Sequence, residues 1–303
     1  MSETLEKLLA SVQQAVDARL PELLAAPEEA RDDAVDPLPP AVREALLSPG
    51  KRFRPGLVYL VGELFEAPAA RLLDPACAVE MIHAASLALD DLPSMDDAVT
   101  RRGRPALHMA HGEDMTILAA VALVARAFGI LAERALHPLR DGTALSATAA
   151  LDAVARLAEA SGLAGLASGQ ALDLRTAPEE ATFDRLETIH ARKTGALFVA
   201  AAELGAVLGH ARQKELAAVR SYARNVGLAF QIVDDLLEKS SPKETGKEAR
   251  RAPAPTFARH IGEEGSRRLV GELTDHAVEA LAPFGKRGAR LSEFARMLEE
   301  RKR

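Results

Sequence analysis

The sequence predicts an all-α protein built as one large domain over residues 1–303. Three observations carry this. Apolar residues make up 48% of the chain, enough to bury a large core. Alanine is abundant while aromatic residues stay at 4%, a composition that suits closely packed helices and suits a β-sandwich or barrel poorly. Apolar residues recur at helical spacing through nearly every segment, and neither a linker nor a fixed-period repeat divides the chain.

The elements follow in order. Residues 5–16, LEKLLASVQQAV, read as an amphipathic helix capped by Ser2 or Thr4, with no basic stretch leading into an apolar core as a signal peptide has. The Pro-dense AVDPLPPAV lies too near the start to separate two full domains. Residues 76–91, ACAVEMIHAASLALDD, form a helix that should stop at about Asp91, because Pro93 disfavours the α conformation at Leu92. Residues 116–136 are the most apolar run. Arg126 and Glu133 interrupt it, so a buried helix is predicted there and no membrane span. Further helices are predicted over residues 144–162, 183–208, 214–239 and 266–284. Lys239 to Thr256, with three prolines and mixed charge, is predicted to be a mobile loop.

Composition excludes several classes. Cys77 is the single cysteine, so no internal disulfide or Cys-rich metal cluster forms, and a reducing, cytoplasmic setting is expected. A net charge of −6, with no basic stretch interleaved by aromatics, argues against nucleic acid as a partner.

The chemistry concentrates in LALDDLPSMDDAVTRRGRP, residues 87–105. Asp90 and Asp91 fall at the negative end of a helix dipole, where each carboxylate is disfavoured by roughly 0.3–1 kcal/mol, and Asp96 and Asp97 follow closely. A bound divalent cation inverts that electrostatic penalty, and hard oxygen ligands without His or Cys point to Mg²⁺ over zinc. An acidic surface turn is the plain alternative for this motif alone. A second cluster weighs against it: in LAFQIVDDLLEK, Asp234 and Glu238 are i,i+4 neighbours with Asp235 between them, and like charges at that spacing repel. Mg²⁺ takes one or two carboxylates and shares its remaining positions with water and phosphate oxygens, so two clusters imply several Mg²⁺ ions on one polyphosphate. Cations for such an anion occur at Lys51, Arg52 and Arg54, at Arg101 and Arg102, at Lys193 and at Lys247. Each alone reads as solvated charge.

Taken together, these motifs resemble the trans-isoprenyl diphosphate synthases of the polyprenyl synthetase family, from about Ser48 to Lys247. SPGKRFRP is similar to the family's GGKRLRP element, residues 78–105 to its first aspartate-rich region, GQALDL and KTGALF to two internal elements, and AFQIVDDLLE to its second aspartate-rich region. The resemblance implies a helical bundle around a central cavity, the isoprenoid synthase fold, and a homodimer. It implies that Asp90, Asp91, Asp96, Asp234 and Asp235, with Glu238, hold Mg²⁺, as three ions with bound diphosphate. Arg101, Lys193 and Lys247 would neutralise the allylic diphosphate; Lys51, Arg54, His83 and Arg102 would bind isopentenyl diphosphate; Thr194 and Gln231 would line the reaction zone. His83, two helical turns before Asp90, reads by itself as a core histidine.

The sequence departs from the family pattern in places. Glu238 replaces the usual final Asp, Ala98 shortens the acidic run after Asp97, Leu89 stands where a His is common, and the ARRAPAPTF that comes soon after Lys247 holds no lysine, leaving Arg250 or Arg251 as substitutes. Two other classes therefore stay open: a catalytically weak subunit that modulates another synthase, and a class I terpene cyclase. The absence of Trp and the DDLLE element argue against the cyclase. The product chain should run down the helix ending at Asp90, so Ser86 and Ala85 lie about 6–7.5 Å deeper. Both are small where the family's bacterial C15-producing members with the Pro93-Ser94 insertion tend to carry an aromatic at the position of Ala85. Met81 and Ile82, one turn further, are the expected floor, and a C20 product is expected over C15.

Overall fold

A computed structural model describes residues 3–24, 36–136, 146–240, 248–249 and 256–301. The helices run α1 (Glu3–Leu23), α2 (Leu38–Leu47), α3 (Phe53–Leu64), α4 (Ala69–Asp90), α5 (Leu107–His111), α6 (Glu113–Leu136), α7 (Ala147–Ser161), α8 (Leu166–Arg175), α9 (Phe183–His190), α10 (Ala196–Leu208) and α11 (Gln213–Ser240). Three more follow: α12 (Phe257–His260), α13 (Gly262–Ala280) and α14 (Ala289–Glu299).

Helix α4 is the axis of the bundle. Residues 74 to 82 are buried without interruption, which leaves no polar face, and α1, α2, α3, α6 and α10 all pack against it. The two acids caught in that burial are both paired. Asp74 accepts from Arg19 and Arg134, and Glu80 accepts from Arg52 Nη1 at 2.6 Å. Helix α10 lies so close to α3 that a Cβ on Gly205 would sit 2.4 Å from the Val58 carbonyl oxygen, so only glycine permits this approach.

Several expectations are refined. Helix α4 ends at Asp90, as Pro93 requires, but begins at Ala69 and takes Pro75 inside its second turn. The Pro-dense stretch opens α2, where prolines in the first turn give up donors that have no partner in any case. Residues 183–208 do form a continuous rod, but a π-turn over Ala191–Gly195 separates α9 from α10. Helix α6 is not the buried helix expected. Like α4 it is long and apolar enough to cross a bilayer by length and composition, yet only 39% of its apolar window is buried, and Ile117, Leu118 and Val121 are exposed.

A small antiparallel sheet departs from the all-helical plan. Strands β1 (Ala98–Arg101) and β2 (Arg104–Pro105) pair Arg101 with Arg104, and the two-residue turn between them has positive φ at Arg102 and Gly103. Strand β3 (Glu248–Ala249) pairs with the other edge of β1. The expected loop is therefore regular in part: Lys239 and Ser240 complete α11, and residues 248–249 form β3. Lys247, Arg250 and Arg251, with the rest of residues 241–247 and 250–255, lie outside the described residues.

Candidate active site

The acidic pair at the end of α4 meets the next pair because the chain folds back on the helix terminus. The Asp96 N–H donates to the Asp90 carbonyl oxygen, Asp97 N–H to that of Leu92, and Ala98 N–H to that of Asp91. These bonds satisfy carbonyls that the helix end leaves orphaned, and they bring Asp96 beside Asp90. Asp97 adopts a left-handed backbone, φ 51°, to make the turn.

Asp90 and Asp91 face different partners. The Asp91 side chain is buried and accepts from Arg101 through both oxygens, Nε to Oδ2 and Nη2 to Oδ1, each at 2.6 Å. Burial opposes the Arg101 charge, but Asp91, aided by Asp90 and Asp96, outweighs it and raises its pKa. Two residues expected to take a metal and a diphosphate are thus bonded to each other. Lys193 takes the place of a cation beside the other two acids. Burial opposes its charge, and Asp90, Asp173 and Asp96 overcome that and raise its pKa, with Nζ 2.6 Å from Asp173 Oδ2. Helix α8 approaches the π-turn closely enough to make this contact because residue 169 is glycine; a Cβ there would fall 2.2 Å from the Lys193 backbone nitrogen.

The second acidic region is assembled from the same turn. Thr194 Oγ1 donates to Gln231 Oε1 at 2.6 Å, and Gln231 Nε2 donates to Asp235 Oδ1 at 2.8 Å. Asp235 is buried, whereas Asp234 keeps 37% of its side chain exposed and accepts from Arg301 Nη2. Nothing of the Glu238 side chain belongs to the described part.

The basic residues of SPGKRFRP separate by role. Arg52 has a left-handed backbone, φ 50°, and turns inward to Glu80, Asp17 and the Ser48 carbonyl. Arg54 turns the other way, 4.7 Å above the Phe198 ring, with Nη1 3.4 Å from His83 Nε2. Burial, moderated by Glu80 and reinforced by Arg102, lowers the Arg54 pKa to about 10. Burial first, then Arg54, Arg102, Arg101 and Arg52, hold the His83 imidazole neutral, well below its usual range. Lys51 is exposed, its ammonium 5.5 Å from the Phe53 ring. Arg102 reaches back to the Pro49 carbonyl. An open cleft lies beside these groups, with His83, Leu87, Asp91, Arg101, Arg102 and Leu107 among its walls.

The expected floor residues do not line that cleft. Met81, Ile82 and Ala85 are buried in the main core, and the half-buried Ser86 donates its hydroxyl to the His83 carbonyl.

Three residues of the site escaped the sequence reading. Asp173 and Gln170 sit one turn apart on α8 within GQALDL, a spacing that shares a face; Gln170 is buried, with Oε1 unpartnered. Arg301 lies 67 residues beyond Asp234, its guanidinium 4.3 Å above the Phe230 ring, where burial and Arg54 lower its pKa to about 10. No local pattern signals it.

The chain is similar to known proteins over most of its length. The Polyprenyl synthetase family matches residues 37–251. The chain is 44% identical over 252 residues to geranylgeranyl pyrophosphate synthase 11, chloroplastic, of Arabidopsis thaliana, covering 80% of this chain and 69% of that protein. It is 41% identical over 237 residues to farnesyl diphosphate synthase of Escherichia coli, covering 77% of each. The crystal structure of an FPP/GFPP synthase from Zymomonas mobilis superposes with a TM-score of 0.84 at 34% identity, covering 98% of this chain and all of that one.

Proposed function

We propose, from the premise that this chain belongs to the polyprenyl synthetase family and is a short-chain prenyl diphosphate synthase, that it elongates allylic diphosphates with isopentenyl diphosphate to a C20 product. The observation that carries the site reading is the π-turn, whose Lys193 stands among Asp90, Asp96 and Asp173 while Thr194 is bonded into the Gln231–Asp235 pair. π-Turns inside helices are frequently functional, because the extra residue redirects side chains that a regular helix would stack.

The donor set fits Mg²⁺. All candidate ligands are carboxylates. That matches an ion that completes its shell with water and phosphate oxygens. Asp90, Asp96 and Asp234 would hold it, while Asp91 and Asp235, both buried, orient Arg101 and Gln231. When bound, Mg²⁺ supplies positive charge to the departing diphosphate.

The chain's own groups do the rest. Lys193 stabilises the negative charge that develops as the allylic C–O bond breaks and the electron pair leaves with pyrophosphate. Arg54, Arg102, Lys51 and the neutral His83 hold the diphosphate of isopentenyl diphosphate, so that its double bond reaches the allylic cation and a proton is then lost. Gln231 and Thr194, already bonded to each other, present a rigid polar edge that needs no reorganisation during the step. A homodimer accounts for α6, where Ile117, Leu118 and Val121 form an exposed apolar face that a second copy would cover. A cytoplasmic setting suits the lone, buried Cys77, whose thiol burial pushes up.

Incubating the purified protein alone with Mg²⁺, isopentenyl diphosphate and each allylic primer tests the reading. A C20 prenyl diphosphate is expected. Turnover only after addition of another synthase marks a modulating subunit, and a cyclic hydrocarbon marks a cyclase.

A further inference from the structure

His190 closes α9 immediately before the π-turn, and it is buried with neither ring nitrogen hydrogen-bonded. Buried polar atoms without partners are uncommon in native proteins and require a cause. The imidazole packs against Phe257, ring centroids 5.4 Å apart and planes tilted by 32°, which restricts its rotation. Its Nε2 stands 3.6 Å from Asp235 Oδ2, too far for a hydrogen bond. The other oxygen of that carboxylate accepts from Gln231, which in turn accepts from Thr194. With the proton on Nε2, an approach of about half an ångström completes a hydrogen bond to Asp235.

We propose that His190 is a positioning residue: in the diphosphate-loaded protein its Nε2–H bonds Asp235 Oδ2, fixing the buried aspartate so that its neighbour Asp234 faces the metal. The inference rests on the reading of Asp234 as part of the Mg²⁺-diphosphate site. It assigns the two aspartates separate tasks, consistent with a buried Asp235 and a partly exposed Asp234. It also explains why the residue sits where it does. A donor at the junction of α9 and the π-turn ties Asp235 to the backbone that carries Lys193 and Thr194. Outer groups of this kind orient ligands without touching the metal.

The full chain, labelled with ¹⁵N-histidine and titrated with Mg²⁺ plus inorganic diphosphate, provides the first test. His190 is expected as the Nε2–H tautomer, its ring proton moving downfield and exchanging more slowly on loading. By calorimetry with inorganic diphosphate present, His190→Leu should raise the Mg²⁺ half-saturation about tenfold, and His190→Gln, whose amide reaches the same oxygen, should return it to within about threefold of the parent. An Nδ1–H tautomer in the loaded protein, or a folded His190→Leu that binds Mg²⁺ as tightly as the parent, overturns the proposal. If His190→Leu does not fold, the tautomer and the His190→Gln titration decide alone. Asp234→Asn separates the two levels: undiminished binding in that variant refutes the site reading, whereas binding lost there and kept in His190→Leu refutes only the role of His190.

Discussion

Lys193 and Thr194, consecutive residues of one π-turn, serve opposite acidic regions. Lys193 is charged by Asp90, Asp173 and Asp96, and Thr194 donates to the glutamine that holds Asp235. A regular α-helix turns neighbours by 100°, and the widened turn changes that angle locally. The two aspartate-rich motifs, more than a hundred residues apart in sequence, are thereby referred to one short piece of backbone.

Asp173 is expected to act through Lys193. Lys193→Ala should lower kcat by about 10²–10³-fold, as loss of a preorganised charge donor does, and Asp173→Asn by about 10–100-fold. Steady-state kinetics with saturating Mg²⁺ checks both. Equal KM effects with unchanged kcat would reassign Lys193 to ground-state binding.

Asp90 and Asp91 should respond differently although they are adjacent. Arg101→Ala leaves the Asp91 carboxylate buried without its bidentate partner, so a loss of about 3 kcal/mol in stability is expected by denaturant unfolding. Asp90→Ala relieves like-charge crowding with Asp96 but takes a partner from the buried Lys193, so stability should fall only modestly while turnover falls by several orders of magnitude. Asp234→Ala, in contrast, removes the acceptor of Arg301 and should lower stability as well as turnover.

Much of this was legible in the sequence. Pro93 marked the end of α4, and the misplaced charge of Asp90 and Asp91 marked the candidate site, because both effects act within a few residues. The division of Arg52 from Arg54 was not legible. It depends on a left-handed backbone at Arg52 and on Glu80, which α4 supplies from 28 residues away. The π-turn left no signal either, since one extra residue barely alters an apolar period across residues 183–208. The Arg101 pairing and the place of Arg301 are tertiary facts with no local pattern.

Stability should fall on mild acidification through His83. Its folded pKa lies well below the unfolded value near 6.5, so below that value the unfolded chain binds a proton that the folded chain refuses. The contribution is complete above about pH 6.5 and is lost progressively as pH falls from there toward the folded pKa. Thermal melts across this window should show a shallower decline for His83→Gln. An identical decline would place the titrating group elsewhere.

Chain length tests the packing beneath Asp90. Ala85, Met81 and Ile82 are buried in the core and do not line the described cleft, so the C20 reading requires the tail to open a path along this face of α4, and it then predicts that Ala85→Tyr shortens the product toward C15 and Met81→Ala lengthens it. Chromatography of dephosphorylated products reads the shift. Unchanged products in both variants would place the tail along another face of α4.

The convergence of both acidic regions on one Mg²⁺-diphosphate site is tested most directly by isothermal titration of inorganic diphosphate into the full chain, with and without Mg²⁺. Binding should require Mg²⁺ and should weaken by at least about tenfold in each of Asp90→Asn and Asp234→Asn, because each removes a carboxylate from the shared site. Diphosphate binding that persists without Mg²⁺, or that survives either substitution undiminished, would contradict a single site built from both regions.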